Sequence, residues 1–256
     1  TLALRLNTVV ERHGVLRTVY RDSVDGPQQQ VLPATAVALV HHDVREQNQA
    51  QQQQTLDERL AQEHATPVDL QAGPVLRAQL LSRHDQQHDL LLTLHHIAFD
   101  GRSAQILLAE LRGSADAALP GQYLAFAQWE ALHWSEQRIA TEQGFWREHL
   151  AGMPQTLELG GSGQAPGEYS LDFNVPQTGC ERLAALAREQ GMTLFMLLLA
   201  SYQLVLKQLG GQPQFLLGTD VSGRPLAEHN DVIGFFVNQL TLRCDLRGAA
   251  TLAGFL

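Results

Sequence analysis

The sequence predicts an α+β fold in two lobes, on three observations. Its 256 residues exceed the usual size of one simple domain, which leaves one large domain or two lobes with separate cores. Strand-like and helix-like segments occur on both sides of the middle, with no short-period repeat. Between Ala151 and Gly167 the pattern breaks under a crowd of turn formers, among them Gly152, Pro154, Gly160, Gly161 and Pro166. We place a boundary there, with a first lobe over residues 1–165 and a second over 166–256.

Each element has its own signal. From Leu2 to Arg12, the residues Leu2, Leu6, Val9 and Val10 fall near one face of a helix that Gly14 stops, so the chain is expected to begin inside an element. Leu16–Arg21 and Gln28–Leu32 flank the turn Val24-Asp25-Gly26-Pro27 and predict a hairpin. His41-His42-Asp43 reads as a solvated turn, and a polar helix follows from about Val44 to His64 with a glutamine-rich solvated face at Gln47–Gln54. Strands are predicted over Val75–Ser82 and Asp89–Leu94, and the run Leu90-Leu91-Leu92 suggests burial on both faces.

Beyond Gly101, the residues Ile106, Leu107, Leu108 and Leu111 mark a helix, and a longer one spans Gln122–Leu150 with Trp129, Trp134 and Trp146 as packing anchors. After the boundary come a strand at Tyr169–Val175 and helices from about Thr178 to Gln190 and from Leu194 to Leu209. Gly191 and Gly210-Gly211 end those helices. A strand at Gln214–Gly218, a loop through Gly223-Arg224-Pro225 and a strand at Phe235–Arg243 complete the reading.

Composition narrows the function. A net charge of −9 without clustered Lys and Arg argues against a nucleic-acid surface and for a small-molecule or protein-tethered substrate. Cys180 and Cys244 lie far apart and in no Cys-x-x-Cys pair, so they read as buried free thiols rather than zinc ligands or a disulfide. No signal segment opens the chain, and its most apolar run, Leu194–Leu206, is too short and interrupted to span a bilayer. The expected location is the cytoplasm.

Few residues could carry chemistry. In His95-His96-Ile97-Ala98-Phe99-Asp100-Gly101, a histidine at a strand end is followed at four residues by a carboxylate and then by glycine. His96 is thus a base candidate, Asp100 a charge that can fix local geometry, and Gly101 a point of close backbone approach. Taken alone, the same residues read more simply as histidines that finish a strand and bond to their neighbours.

They do not stand alone. The His-His-x-x-x-Asp-Gly signature resembles that of nonribosomal peptide synthetase condensation domains and their chloramphenicol acetyltransferase-like relatives. Arg12-His13-Gly14-Val15-Leu16-Arg17-Thr18 is similar to the family's Arg-His-x-x-Leu-Arg-Thr motif, and Pro67-Val68-Asp69-Leu70 with Gly73-Pro74-Val75-Leu76-Arg77 to the segment entering its central strand. Tyr123-Leu124-Ala125-Phe126-Ala127-Gln128-Trp129 resembles Tyr-x-Asp-Phe/Tyr-Ala-x-Trp, with Ala125 where an Asp is expected, and Phe145-Trp146-Arg147 continues the match. Gly218–Arg224 resembles Gly-x-x-x-x-Gly-Arg, and Ile233-Gly234-Phe235-Phe236-Val237-Asn238 resembles Ile-Gly-x-Phe-Val-Asn. The family's opening Ser-x-Ala-Gln-x-Arg-Leu motif is absent and the chain stops at Leu256 before its later motifs, so the domain is expected to be incomplete at both ends.

The resemblance implies two acetyltransferase-like lobes in a V, with the His motif at their junction. It implies that an acceptor amine attacks a donor thioester to form an amide. No metal is implied and no cofactor is bound directly; phosphopantetheine arrives on donor and acceptor peptidyl carrier proteins, and an adenylation domain is expected next to this one. His96 is the catalytic candidate, as base or as orienting hydrogen-bond partner. His95 is structural. Asp100 is a scaffold residue with Arg17 as its expected partner and Arg224 as the rival. Gly101 either lets the phosphopantetheine arm pass or simply enters a helix. Ser103 reads as a helix cap, and Ser103, Arg224 and Asn238 are candidate tunnel or substrate contacts, Asn238 equally a sheet side chain.

Other readings share the signature. An epimerisation domain resembles Glu-Gly-His-Gly-Arg-Glu in the later loop, where this chain has Gly218-Thr219-Asp220-Val221-Ser222-Gly223-Arg224. A cyclisation domain resembles Asp-x-x-x-x-Asp at the central motif. A free-standing acyltransferase and a non-catalytic carrier-docking module complete the set.

Overall fold

The computed structural model describes residues 1–24, 26–114, 119, 121–159 and 171–248. Helix and sheet are mixed, as the sequence predicts. The chain divides into two compact units, Thr1–Ser135 with Ser222–Asn238 and Glu136–Val221 with Gln239–Leu256. The expected boundary between residues 165 and 166 lies outside the described residues.

The first unit opens with α1 (Leu2–Arg12), whose Leu6, Val9 and Val10 are buried at helical spacing. A 3-10 turn at Gly14–Arg17 leads into β1 (Thr18–Arg21), which pairs antiparallel with β2 (Gln28–Val31), Thr18 opposite Val31. The expected hairpin is therefore present, although Asp25 of its turn lies outside the described residues.

Next, β3 (Leu39–Asp43), β4 (Leu76–His84) and β5 (Gln87–Leu94) form a sheet in that order, with β3 parallel and β5 antiparallel to β4. His41-His42-Asp43 is thus part of a strand and not a solvated turn. Val40, His41 and Asp43 are exposed at the rim of this sheet, so backbone pairing makes the strand without an apolar alternation that sequence could register. The run Leu90–Leu92 is less buried than its composition suggests: Leu91 is buried, and its neighbours are half-buried on the outer strand β5.

Helix α2 (Gln49–Ala65) begins later than Val44 because Asn48 and Gln51 form a reciprocal cap at 3.0 and 3.1 Å. Gln51, Gln53 and Gln54 face solvent, whereas the Gln52 side chain is buried and donates to the Val44 and Arg83 carbonyls. Helix α3 (Gly101–Arg112) contributes Ile106, Leu107 and Leu111 to one core with Leu6, Val9, Val10, Leu76 and Ile233. Each such buried aliphatic side chain contributes about 1.5–3 kcal/mol. That core ties α1, β4 and α3 to the segment just before Phe235.

Helix α4 (Tyr123–His133) ends at Trp134, whose ψ of 63° leaves helical geometry, so the single helix expected over Gln122–Leu150 is two. Trp129 packs on Phe126 as an anchor would, but Trp134 is exposed.

The second unit holds α5 (Glu136–His149), α6 (Gln177–Glu189), α7 (Leu194–Gly210) and most of the pair β6 (Gln214–Ser222) and β7 (Val237–Asp245). Thr193 caps α7 by accepting from the Met196 N–H at 3.2 Å, and Gly211 closes it at a φ of 66°, which glycine adopts without strain. Leu206, Phe215, Cys244 and Leu246 form its core. Leu171–Val175 has no regular structure, and Leu171 and Phe173 are exposed, which corrects the strand expected there; Tyr169 lies outside the described residues. An apolar-polar alternation makes a sheet only where another strand bonds to it. Cys180 is exposed, contrary to expectation, and Cys244 is buried. Among the described residues, no single helix is long and apolar enough to cross a membrane.

Candidate active site

The site grows from the end of β5. Antiparallel pairing with β4 runs to Leu94, opposite Leu76, and the His95 N–H then bonds the Val75 carbonyl at 3.0 Å. Strand geometry stops there. His95 caps a 3-10 turn at His96–Ala98, its Nδ1 accepting from the Ile97 N–H at 3.1 Å. Accepting at Nδ1 leaves the proton of a neutral His95 on Nε2.

His96 has the opposite arrangement. Its Nδ1 lies 2.6 Å from the Phe99 carbonyl oxygen, which can only accept, so Nδ1 carries the proton. In the neutral ring the lone pair then belongs to Nε2, and the residue is exposed. Two adjacent histidines are thus held in opposite tautomers by the bonds of one short turn. A third contact reaches His96 from far along the chain: the Phe235 ring packs edge-to-face on it, centroids 4.9 Å apart.

Asp100 ends the turn and starts α3. Its carboxylate accepts from the Ser103 N–H and from Ser103 Oγ, each at 2.7 Å, and from the Phe236 N–H at 3.1 Å. Arg224 Nη2 reaches its two oxygens at 3.0 and 3.1 Å. Burial by itself would push the Asp100 pKa up; the bonds from Ser103 and Phe236 and the Arg224 charge outweigh it and hold the carboxyl below its ordinary value. The Arg224 side chain is 3% exposed and that of Asp100 is 2% exposed, so this is a buried ion pair. Arg224 also donates through Nη1 to the His229 and Val232 carbonyls, and its guanidinium lies 3.9 Å above the Phe236 ring.

The rival partner, not Arg17, therefore holds Asp100. Arg17 ends the 3-10 turn before β1 and donates instead to the Leu32 and Glu11 carbonyls. Asp100, and not Ser103 as expected, caps α3, and Ser103 supplies the N–H that the cap accepts; its Oγ accepts from the Gly234 N–H at 3.0 Å and lies 2.8 Å from the Gly234 carbonyl, and the residue is fully buried. Ser103 and Arg224 are thus enclosed within the network. Asn238 is exposed at the second position of β7. A Cβ built on Gly101 meets nothing within 4 Å, which leaves its surroundings open to a passing group.

Around Asp100, residues that sequence reading had left without roles complete the frame. The Tyr123 hydroxyl donates to the Phe235 carbonyl at 2.9 Å. His13, buried, lies 3.1 Å through Nε2 from Glu110, which also accepts from Arg12 at 2.9 Å, and its Nδ1 accepts weakly from the Ile233 N–H at 3.4 Å. Burial holds the His13 pKa below its ordinary value, although the Glu110 carboxylate opposes this. Two glycines are required by close approach: a Cβ on Gly223 would sit 2.0 Å from the Phe236 carbonyl oxygen, and one on Gly234 would sit 2.2 Å from the Tyr123 ring.

The family model for the condensation domain matches residues 1–256, the whole chain. The chain belongs to the condensation-domain family. It is 36% identical over 260 residues to malpibaldin synthetase of Mortierella alpina, covering 95% of this chain and 5% of that protein. It is 35% identical over 254 residues to phosphinothricin tripeptide synthetase PhsB of Streptomyces viridochromogenes, covering 94% of this chain and 21% of that one. The first condensation domain of the calcium-dependent antibiotic synthetase superposes with a TM-score of 0.81 at 22% identity, over 99% of this chain and 63% of that one, which shows a shared fold. The chain thus spans a small part of the curated relatives it matches. In this condensation domain, His13, His96, Asp100, Tyr123 and Arg224, each from a segment matching a family motif, touch one peptide segment, Ile233–Phe236, while Ala125, where the pattern departs, is exposed on α4.

Proposed function

We propose that this condensation domain forms an amide between a carrier-bound acyl or peptidyl thioester donor and a carrier-bound aminoacyl acceptor, with His96 as the catalytic residue. The observation that carries this reading is the bond from His96 Nδ1–H to the Phe99 carbonyl at 2.6 Å, which puts the lone pair of the neutral ring on Nε2 of an exposed residue. The acceptor amine nitrogen bonds to the thioester carbon, and the carbon–sulfur bond breaks. The proton lost by the nitrogen passes to Nε2 or is held by it in line, and the departing thiolate takes up one proton. A free amine with an ordinary pKa of about 8 is partly protonated at neutral pH, and a neutral imidazole is suited to hold that proton. Thioester aminolysis is intrinsically favourable, so orientation of the amine at Nε2 contributes alongside proton transfer.

Phosphopantetheine on the carrier proteins would supply the thioester and the thiol. The open space at Gly101, at the first turn of α3 and close in sequence to His96, is compatible with such an arm. Donor and acceptor carrier proteins are the proposed partners, with an adenylation domain in the same assembly.

The test is His96→Ala in the full-length protein with loaded carriers, followed by intact mass of the acceptor carrier. The substituted protein should stay folded, because His96 is exposed, and should form no amide. Undiminished transfer overturns the assignment.

A further inference from the structure

We infer that Phe235 is a positioning residue for His96: an aromatic wall, held rigidly from behind, that fixes which way the imidazole faces. Its effect on activity rests on the reading of His96 above; its effect on the ring does not.

The backbone around Phe235 is constrained to an unusual degree. The peptide group joining Phe235 to Phe236 is pinned at both ends, its carbonyl by the Tyr123 hydroxyl at 2.9 Å and its N–H by the Asp100 carboxylate at 3.1 Å. One residue earlier, the Gly234 N–H bonds Ser103 Oγ at 3.0 Å. Gly234 packs so closely on the Tyr123 ring that no other residue fits without displacement. Ile233, Gly234 and Phe236 are all buried, yet Phe235 between them is 36% exposed. A phenyl ring left partly in water contributes less to the core than one turned inward. What it does touch is His96, with ring planes 83° apart.

Such an edge-to-face pair is favourable beyond area burial and depends on the aromatic quadrupole. With the Phe99 carbonyl holding Nδ1, the Phe235 ring flanks the imidazole and opposes its rotation about the Cβ–Cγ bond. Rotation by half a turn would exchange the edges of the ring, break the Nδ1–H bond and turn Nε2 away. Phe235 thereby links Asp100, which never touches the imidazole through any bond described above, to the orientation of His96.

The test compares Phe235→Ala, Phe235→Leu and Phe235→Tyr in the full-length protein, with amide formation followed by mass and with the rate of His96 carbethoxylation by diethyl pyrocarbonate mapped by peptide sequencing. The alanine and leucine variants should lower kcat roughly 2- to 10-fold, the range an aromatic pair of this type accounts for, with KM for the loaded acceptor carrier unchanged. Tyrosine should restore kcat. His96 should be modified faster in the alanine variant, since its ring is uncovered and free to turn. If kcat is unchanged, if the loss lies in KM alone, or if leucine serves as well as tyrosine, Phe235 is not a positioning residue. Should His96→Ala itself retain activity, the functional reading fails, and an unchanged carbethoxylation rate in Phe235→Ala would overturn the inference separately.

Discussion

Arg224 and Asp100, 124 residues apart in sequence, meet as a buried ion pair in which one guanidinium nitrogen reaches both carboxylate oxygens at 3.0 and 3.1 Å. Asp100 also caps α3, and the Arg224 guanidinium covers the Phe236 ring. One contact therefore ties the loop after β6 to the helix that follows the His motif.

Breaking that pair from one side leaves a charge buried without its partner. Asp100→Ala and Arg224→Met should each destabilise the protein by about 3–5 kcal/mol, and the double substitution by clearly less than the sum. Urea unfolding of the three variants measures this cycle; additive losses would mean that the two residues act independently.

Asp100 also predicts an acid limb. Its folded pKa lies below the ordinary value, so its contribution is fully present above the range where a free Asp titrates, near pH 4, and is lost as pH falls below that range toward the folded pKa. In Asp100→Asn, which is less stable throughout, the loss of stability between about pH 5 and 3 should be shallower than in the parent. Unfolding midpoints across that window provide the check.

His13 acts in the opposite charge state. Burial lowers its pKa, so below the ordinary histidine value of about 6.5 the unfolded chain takes up a proton that the folded one does not. Stability should therefore decline as pH falls from about 6.5 toward the folded pKa. His13→Gln should flatten that part of the profile, and an unchanged slope in denaturant titrations would assign it to another group.

The glycines separate packing from access. Gly223→Ala forces a Cβ against the Phe236 carbonyl and should cost about 1–3 kcal/mol or more, because a backbone atom cannot swing aside. Gly101→Ala meets open space and should change stability by less than about 0.5 kcal/mol. If the carrier arm passes there, amide formation should nevertheless fall in Gly101→Ala. Thermal midpoints and product mass on the two variants distinguish these effects.

Much of the fold was legible because its signals are local. The spacing of Leu6, Val9 and Val10 predicts the buried face of α1, and Gly210-Gly211 marks the end of α7. The failures share a cause. β3 ends in the polar run His41-His42-Asp43 and exists through pairing with β4; Trp134 leaves the helix through one dihedral angle; Gln52 is the buried glutamine among exposed ones because the Val44 and Arg83 carbonyls lie beside it. None of these has a periodicity.

His96 shows the division most clearly. The order and type of residues in His95–Gly101, with matching motifs on either side, were enough to nominate it and to assign the chain to its family. They pointed to Arg17 rather than Arg224 as the partner of Asp100, and did not reveal that Phe235 touches His96. Those choices belong to tertiary structure, because the interacting groups are separated by more than a hundred residues and their pairing depends on how the core beneath α1, β4 and α3 brings Ile233–Phe236 to the end of β5.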